Sequence, residues 1–166
     1  RLLSFPWLYG ERTPVEDPTL RGAFFNFSLV HERADVIRAV LEGVALNSRW
    51  LFRHVEAFSG GPLPELRFIG GGAESALWSQ IFADVLDRPI LKVAEPQSAN
   101  LRGAALIAFV ALGLFDFADV SSRVRIESRF EPRDEHRALY EELFQEFLVF
   151  HDKNRAAFAR LNRRDP

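Results

Sequence analysis

Three consecutive glycines, Gly70, Gly71 and Gly72, constrain this chain more than any other stretch. They sit between a short apolar run (Leu66, Phe68, Ile69) and residues at helical spacing (Leu77, Trp78, Ile81, Phe82, Val85). The pattern reads as strand, glycine turn, helix. Glycine has no Cβ, so its backbone reaches positive φ and lets a ligand come close. The first amides of the following helix lack intrahelical partners and lie at the positive end of its dipole. Such a turn suits an anion, most often a phosphate. A plain tight turn between two core elements fits the same spacing. The string is neither G-x-x-x-x-G-K-[ST] nor G-x-G-x-x-G.

The rest of the chain limits what can surround that turn. At 166 residues it is long enough for one domain with its own core. Hydrophobic residues make up 48% and charged residues 27%, as in globular domains. A net charge of -2, with basic residues scattered, argues against a nucleic-acid partner. The absence of cysteine removes disulfides and thiolate metal sites, and favours a reducing, cytoplasmic setting. No apolar run reaches the roughly 20 residues of a membrane span. The chain contains no methionine and begins at Arg1, so it is expected to be a piece of a longer polypeptide.

Residues 1–20 carry Pro6, Pro14 and Pro18 and read as an extended loop, with Phe5, Trp7, Leu8 and Tyr9 packed on the body. Aromatic alternation from Gly22 to Leu29 predicts a strand. A long helix follows over Arg33–Phe58, with an apolar face of Val36, Ile37, Val40, Leu41, Val44, Leu51 and Val55. Gly43 inside it marks close packing of another backbone or a ligand. Ser59-Gly60-Gly61-Pro62 ends that helix. After the glycine turn and its helix, Pro89–Val93 reads as a strand. Asn100 reads as the N-cap of a nearly all-apolar helix over 101–112, expected to be buried on most sides. Val124–Phe130 alternates and reads as an edge strand. Pro132 opens a last helix to Leu161, and residues 163–166 form a polar tail. Strands alternating with helices give an α/β layered domain.

Chemistry is sparse along this scaffold. His31, His54, His136 and His151 show no metal-binding spacing. There is no G-x-S-x-G elbow. Asp17, Asp35, Glu42, Asp84 and Asp87 are candidate carboxylates that nothing in the sequence pairs. No catalytic residue and no metal site are assigned.

Three stretches together resemble one family. They are WLYGERTP from Trp7, followed by Asp17-Pro18 and RGAFF from Arg21; HERADVIRAVLEG from His31; and GGGAESALWSQIFADVLDRP from Gly70, with RGAALIA from Arg102 and Leu112-Gly113 after it. These resemble the C-terminal domain of FGGY carbohydrate kinases of the xylulokinase type. The resemblance implies an actin-like ATPase (ribonuclease H-like) domain with a mixed five-stranded sheet flanked by helices. On this basis residues 1–166 are a single domain, the nucleotide-binding half of a two-domain sugar kinase. It implies ATP, with Mg²⁺ bound mainly through the nucleotide, and a sugar or polyol as acceptor, xylulose being the nearest look-alike. The catalytic base is implied to lie in a missing N-terminal domain, and a homodimer remains open.

The resemblance places Gly71 and Gly72 beside the phosphates and ribose, and Ser75 and Ala76 near the adenosine. Ala45 and Arg49 on the long helix are placed facing the nucleotide. Asn26 and Asn100 stand where the family pattern has Gly; Asn tolerates left-handed backbone better than most residues, and Asn100 could contact the base. Glu11 and Arg12 belong to the family motif, and a structural salt bridge is one role open to them. A non-catalytic nucleotide-binding or interaction module of the same fold is the alternative reading.

Overall fold

A computed structural model describes residues 1–162; the polar tail read over 163–166 lies outside them. The element order is β1 (Leu3–Phe5), β2 (Ala23–Phe25), α1 (Arg33–Ser59), β3 (Leu66–Phe68), α2 (Ala76–Leu86), β4 (Ile90–Val93), α3 (Ala99–Ala111), β5 (Ile126–Phe130) and α4 (Asp134–Asn162). The α/β alternation therefore holds, with one strand more than the periodicity showed. β1 spans only three residues before Pro6, too short for a period-2 signal.

The five strands form two sheets rather than the single sheet implied above. β1 and β2 pair antiparallel, with Leu3 opposite Phe25. β3 runs parallel to β4, and β4 antiparallel to β5, so the three-stranded sheet is mixed. β5 lies at an edge, as its charged alternation predicts. β2 stops at Phe25 because Asn26 takes a left-handed conformation (φ 66°). Asn26 thus adopts the backbone that a glycine would.

The core lies where β1, α1, α2 and α4 meet. Phe5, Trp7, Leu20, Leu46, Ile81, Val85, Tyr140, Phe144 and Phe147 are almost wholly buried there. Phe5 stacks on Phe147 and Phe150 at ring separations of 4.9 and 3.9 Å. α1 starts with Asp35 Oδ2 accepting from the Glu32 amide at 2.8 Å and ends at Gly60, whose φ is 82°. Its buried residues are Ala39, Gly43, Ala45 and Leu46. Ile37 and Val40, placed on the core face by spacing, are 54% and 43% exposed, because small residues rather than branched ones meet the neighbouring strand. A Cβ on Gly43 would collide with the Ser4 backbone of β1. The close approach marked by Gly43 is therefore to a strand.

Three local expectations fail. Phe5 and Trp7 are buried, but Leu8 and Tyr9 are exposed. The Leu8 and Gly10 amides bond Pro6 O and Trp7 O, and this reversal lifts the two intervening side chains outward. Asn100 is not an N-cap: α3 begins at Ala99 after Ser98, and Asn100 is an exposed residue of the first turn. α3 itself buries no side chain, despite its composition.

Candidate functional site

β3 and β4, being parallel, end at the same edge of the sheet, the position where α/β sheets bind ligands. The glycine turn stands there. Gly70 has φ 83°, and its amide donates to Pro96 O at 2.8 Å, tying the turn to the loop that enters α3. Gly71–Glu74 form one 3-10 turn, closed by Ala73 N to Gly70 O at 3.1 Å and Ser75 N to Gly72 O at 3.2 Å. Ser75 caps α2, its Oγ accepting from Trp78 N at 3.2 Å. The amides of Gly71, Gly72, Ala76 and Leu77 have no hydrogen-bond partner among the described residues. Four free donors at the positive end of α2 make an anion-accepting edge.

The two central glycines differ. A Cβ added at Gly71 meets nothing within 4 Å. A Cβ added at Gly72 would lie 2.9 Å from the Trp78 ring. One glycine is open and the other is packed from beneath. Nearby charge is balanced: Lys92 Nζ lies 3.3 Å from Glu74 and 3.2 Å from Glu127. The hydrogen bond that Lys92 donates to Glu127 holds its pKa above the usual value, with burial opposing and Glu74 adding. Under α3 lies a pocket of about 220 Å³, lined in part by Ile69, Val93, Gly103, Leu106 and Val124.

The structure thus brings Gly71, Gly72, Ser75 and Ala76 into one turn and sets Asn100 on the adjoining α3. It does not bring Ala45 or Arg49 there. Ala45 is fully buried in the core cluster. Arg49 pairs with Glu141, donates to Tyr140 O at 3.2 Å and lies 4.5 Å over the Phe144 ring, fixed to α4. As the chain is folded here, neither faces the turn. Trp78 belongs to the site, although spacing marks it only as a core position. Its signal is an aromatic residue set three places after the α2 cap, directly behind the glycines.

The carboxylates left open by the sequence all have structural partners. Asp84 is buried against Arg133 at 2.5 Å and His136 Nδ1 at 3.0 Å, and accepts from the Arg133 amide at 3.0 Å. Burial works against its charge, but hydrogen bonds from Arg133, His136 and Gln80 outweigh it and hold the carboxyl below the usual range. Glu42 accepts from Tyr140 Oη at 2.7 Å, and burial together with Glu42 pushes the phenol up. Asp17 accepts from the Thr19 amide and hydroxyl at 2.8 and 2.6 Å. Asp35 caps α1, and Asp87 pairs with Arg137 at 3.0 Å. Glu11 forms no ion pair among the described residues. Its carboxylate accepts from the Arg12 and Thr13 amides and from Asn47 Nδ2, and Asn47 in turn accepts from Trp7 Nε1. It locks the loop to α1 by hydrogen bonds. No cluster of three or more potential metal ligands occurs among the described residues, and no helix among them is long and apolar enough to cross a membrane.

Comparison with known proteins gives a consistent answer. A family model described as the FGGY family of carbohydrate kinases, C-terminal domain, matches residues 1–112. A xylulose kinase of Staphylococcus epidermidis is 32% identical over 164 residues, covering 96% of this chain and 32% of the relative. A gluconokinase of Bacillus licheniformis is 32% identical over 148 residues, 89% of this chain and 29% of the relative. The crystal structure of ligand-bound xylulose kinase from Lactobacillus acidophilus superposes with a TM-score of 0.85 at 27% identity, covering 96% of this chain and 32% of that one. The chain spans about a third of the length of the curated relatives it matches.

Proposed function

The chain belongs to the FGGY family of carbohydrate kinases, and from that premise we propose that it is the nucleotide-binding half of a kinase passing the ATP γ-phosphoryl group to a sugar hydroxyl. A pentulose such as xylulose is the leading acceptor, with ribulose, gluconate and glycerol the alternatives. The observation that carries this reading is the set of free amides at Gly71, Gly72, Ala76 and Leu77, where β3 and β4 end.

Phosphoryl transfer asks a protein for positioning and for neutralisation of charge. Backbone amides supply both without a titratable group, and the α2 dipole adds to them. Gly71 leaves room for the phosphates, since nothing stands within 4 Å of its Cβ position. Bound ATP supplies the phosphoryl group to be transferred. Mg²⁺ finds no ready cage, because no three potential ligands converge among the described residues. It would reach this half on the nucleotide's phosphates. The acceptor pocket and the base are assigned to the remainder of the polypeptide, and closure of the two halves would exclude water.

The decisive test is Gly71→Asp. The protein itself accommodates a side chain there, so folding should be unchanged. Calorimetric titration with Mg·ADP should show affinity falling by about a hundredfold, as a carboxylate meets the phosphates. Unchanged affinity would move the nucleotide away from the turn. Full binding without transfer by the full polypeptide would support a non-catalytic module instead.

A further inference from the structure

We propose that Trp78 is a positioning residue that sets the depth of the glycine turn, and with it the reach of the phosphate-binding amides. The inference rests on the nucleotide reading of that turn. Trp78 fills three roles with one side chain. Its amide is held by Ser75 Oγ at 3.2 Å, which fixes the first turn of α2. Its six-membered ring lies behind Gly72: a Cβ there would be 2.9 and 3.1 Å from Cζ3 and Cε3. Its Nε1–H donates to Leu41 O in the middle of α1 at 3.1 Å.

The indole is confined on its other sides. Phe68 meets it edge-on with ring centroids 6.5 Å apart, and Phe82 lies 5.8 Å away. Two residues after Leu41, Gly43 rests against the β1 backbone. A continuous line of contact therefore runs from β1 through α1 and Trp78 to Gly72. The polar end of the indole fixes it to α1, and its carbocyclic end supports the turn. Phenylalanine would fill part of the space but lacks the donor. Leucine would leave the turn unsupported.

Amide to phosphate hydrogen bonds weaken steeply with distance and angle. A turn that sinks by a fraction of an ångström loses several of them at once. The steric argument also predicts compensation. A methyl added at Gly72 collides with the indole, and removing the indole makes room for that methyl.

The test uses the full polypeptide that carries this chain, Mg·ADP calorimetry and thermal melting. Trp78→Leu and Gly72→Ala should each weaken Mg·ADP binding by about tenfold. The double variant Gly72→Ala/Trp78→Leu should recover to within about threefold of the parent, a non-additivity that lost stability alone would not produce. Trp78→Phe keeps a ring in place should Trp78→Leu not fold. It should bind about threefold more weakly. Single variants that melt earlier yet bind within about twofold of the parent would overturn the inference. If Gly71→Asp still abolishes binding in that case, the nucleotide reading survives and only the role of Trp78 falls. If Gly71→Asp binds normally, both fall together.

Discussion

α2 and α3 invite comparison because their sequences look alike and their surroundings do not. Each follows a parallel strand of the same sheet, and the turns that precede them are joined through Gly70 N and Pro96 O. Both are predominantly apolar. α2 buries seven residues, including Ile81, Ala83 and Val85 completely. α3 buries none, and Leu101 and Ile107 are 74% and 65% exposed. The reason is the company each keeps. α2 packs against α1, α4 and β4, whereas the main neighbours of α3 are the 3-10 turns at its two ends. An apolar helix needs cover, but its own sequence does not say where that cover comes from.

The strongest challenge to this contrast is Ile81→Ala. It removes a fully buried side chain from α2 and should cost about 4 kcal/mol of stability, read from the urea midpoint. A loss below about 1 kcal/mol would show that α2 is no better packed than α3.

A smaller effect is expected where α2 is fastened to α4. Asp84→Ala leaves Arg133 and His136 without their carboxylate and should cost about 3 kcal/mol. The pH dependence has a definite sign. Asp84 has its carboxyl held below its ordinary, unfolded value. Its stabilisation is therefore complete above that unfolded value and is lost as pH falls through the lower folded value. Unfolding followed from neutral to strongly acidic pH should show a steeper fall in the parent than in Asp84→Asn. Parallel curves would remove Asp84 from the α2–α4 fastening.

The smallest effect belongs to α3. Ile107 is 65% exposed, so Ile107→Ser in this chain alone should change stability by no more than about 0.5 kcal/mol. The same substitution in the full polypeptide sharpens the comparison. A cost near 2 kcal/mol there would mean that α3 gains its cover from outside these residues.

Several elements were legible from local chemistry alone. α1 was bounded to within a residue by its 3.6 period and by Gly60, and the strand, turn and helix around Gly70–Gly72 by glycine next to a helical period. Left-handed Asn26 was suggested by the family pattern, which has Gly there, whereas aromatic alternation alone ran the strand through it. β1 escaped notice because three residues carry no period. The burial of Ala39 and Ala45 in place of Ile37 and Val40 depends on which face of α1 the β1 strand chose. Within the site, the glycine turn could be read directly, whereas the Ser75 cap on α2 emerged only with the structure. The different duties of Gly71 and Gly72 could not, since they differ only in what lies behind them. Arg49 illustrates the converse: its partners Glu141 and Phe144 are about ninety residues away along the chain.

The sequence by itself determined four of the five strands, all four helices and the glycine turn, because periodicity and glycine freedom act over a few residues, and the family through the resemblance of three motifs. Only the tertiary structure decided that the strands split between two sheets, that Asp84 rather than another carboxylate is buried, and that α3 stays uncovered. Those outcomes depend on which surfaces meet across long separations, where close packing selects among partners that a local pattern leaves equivalent.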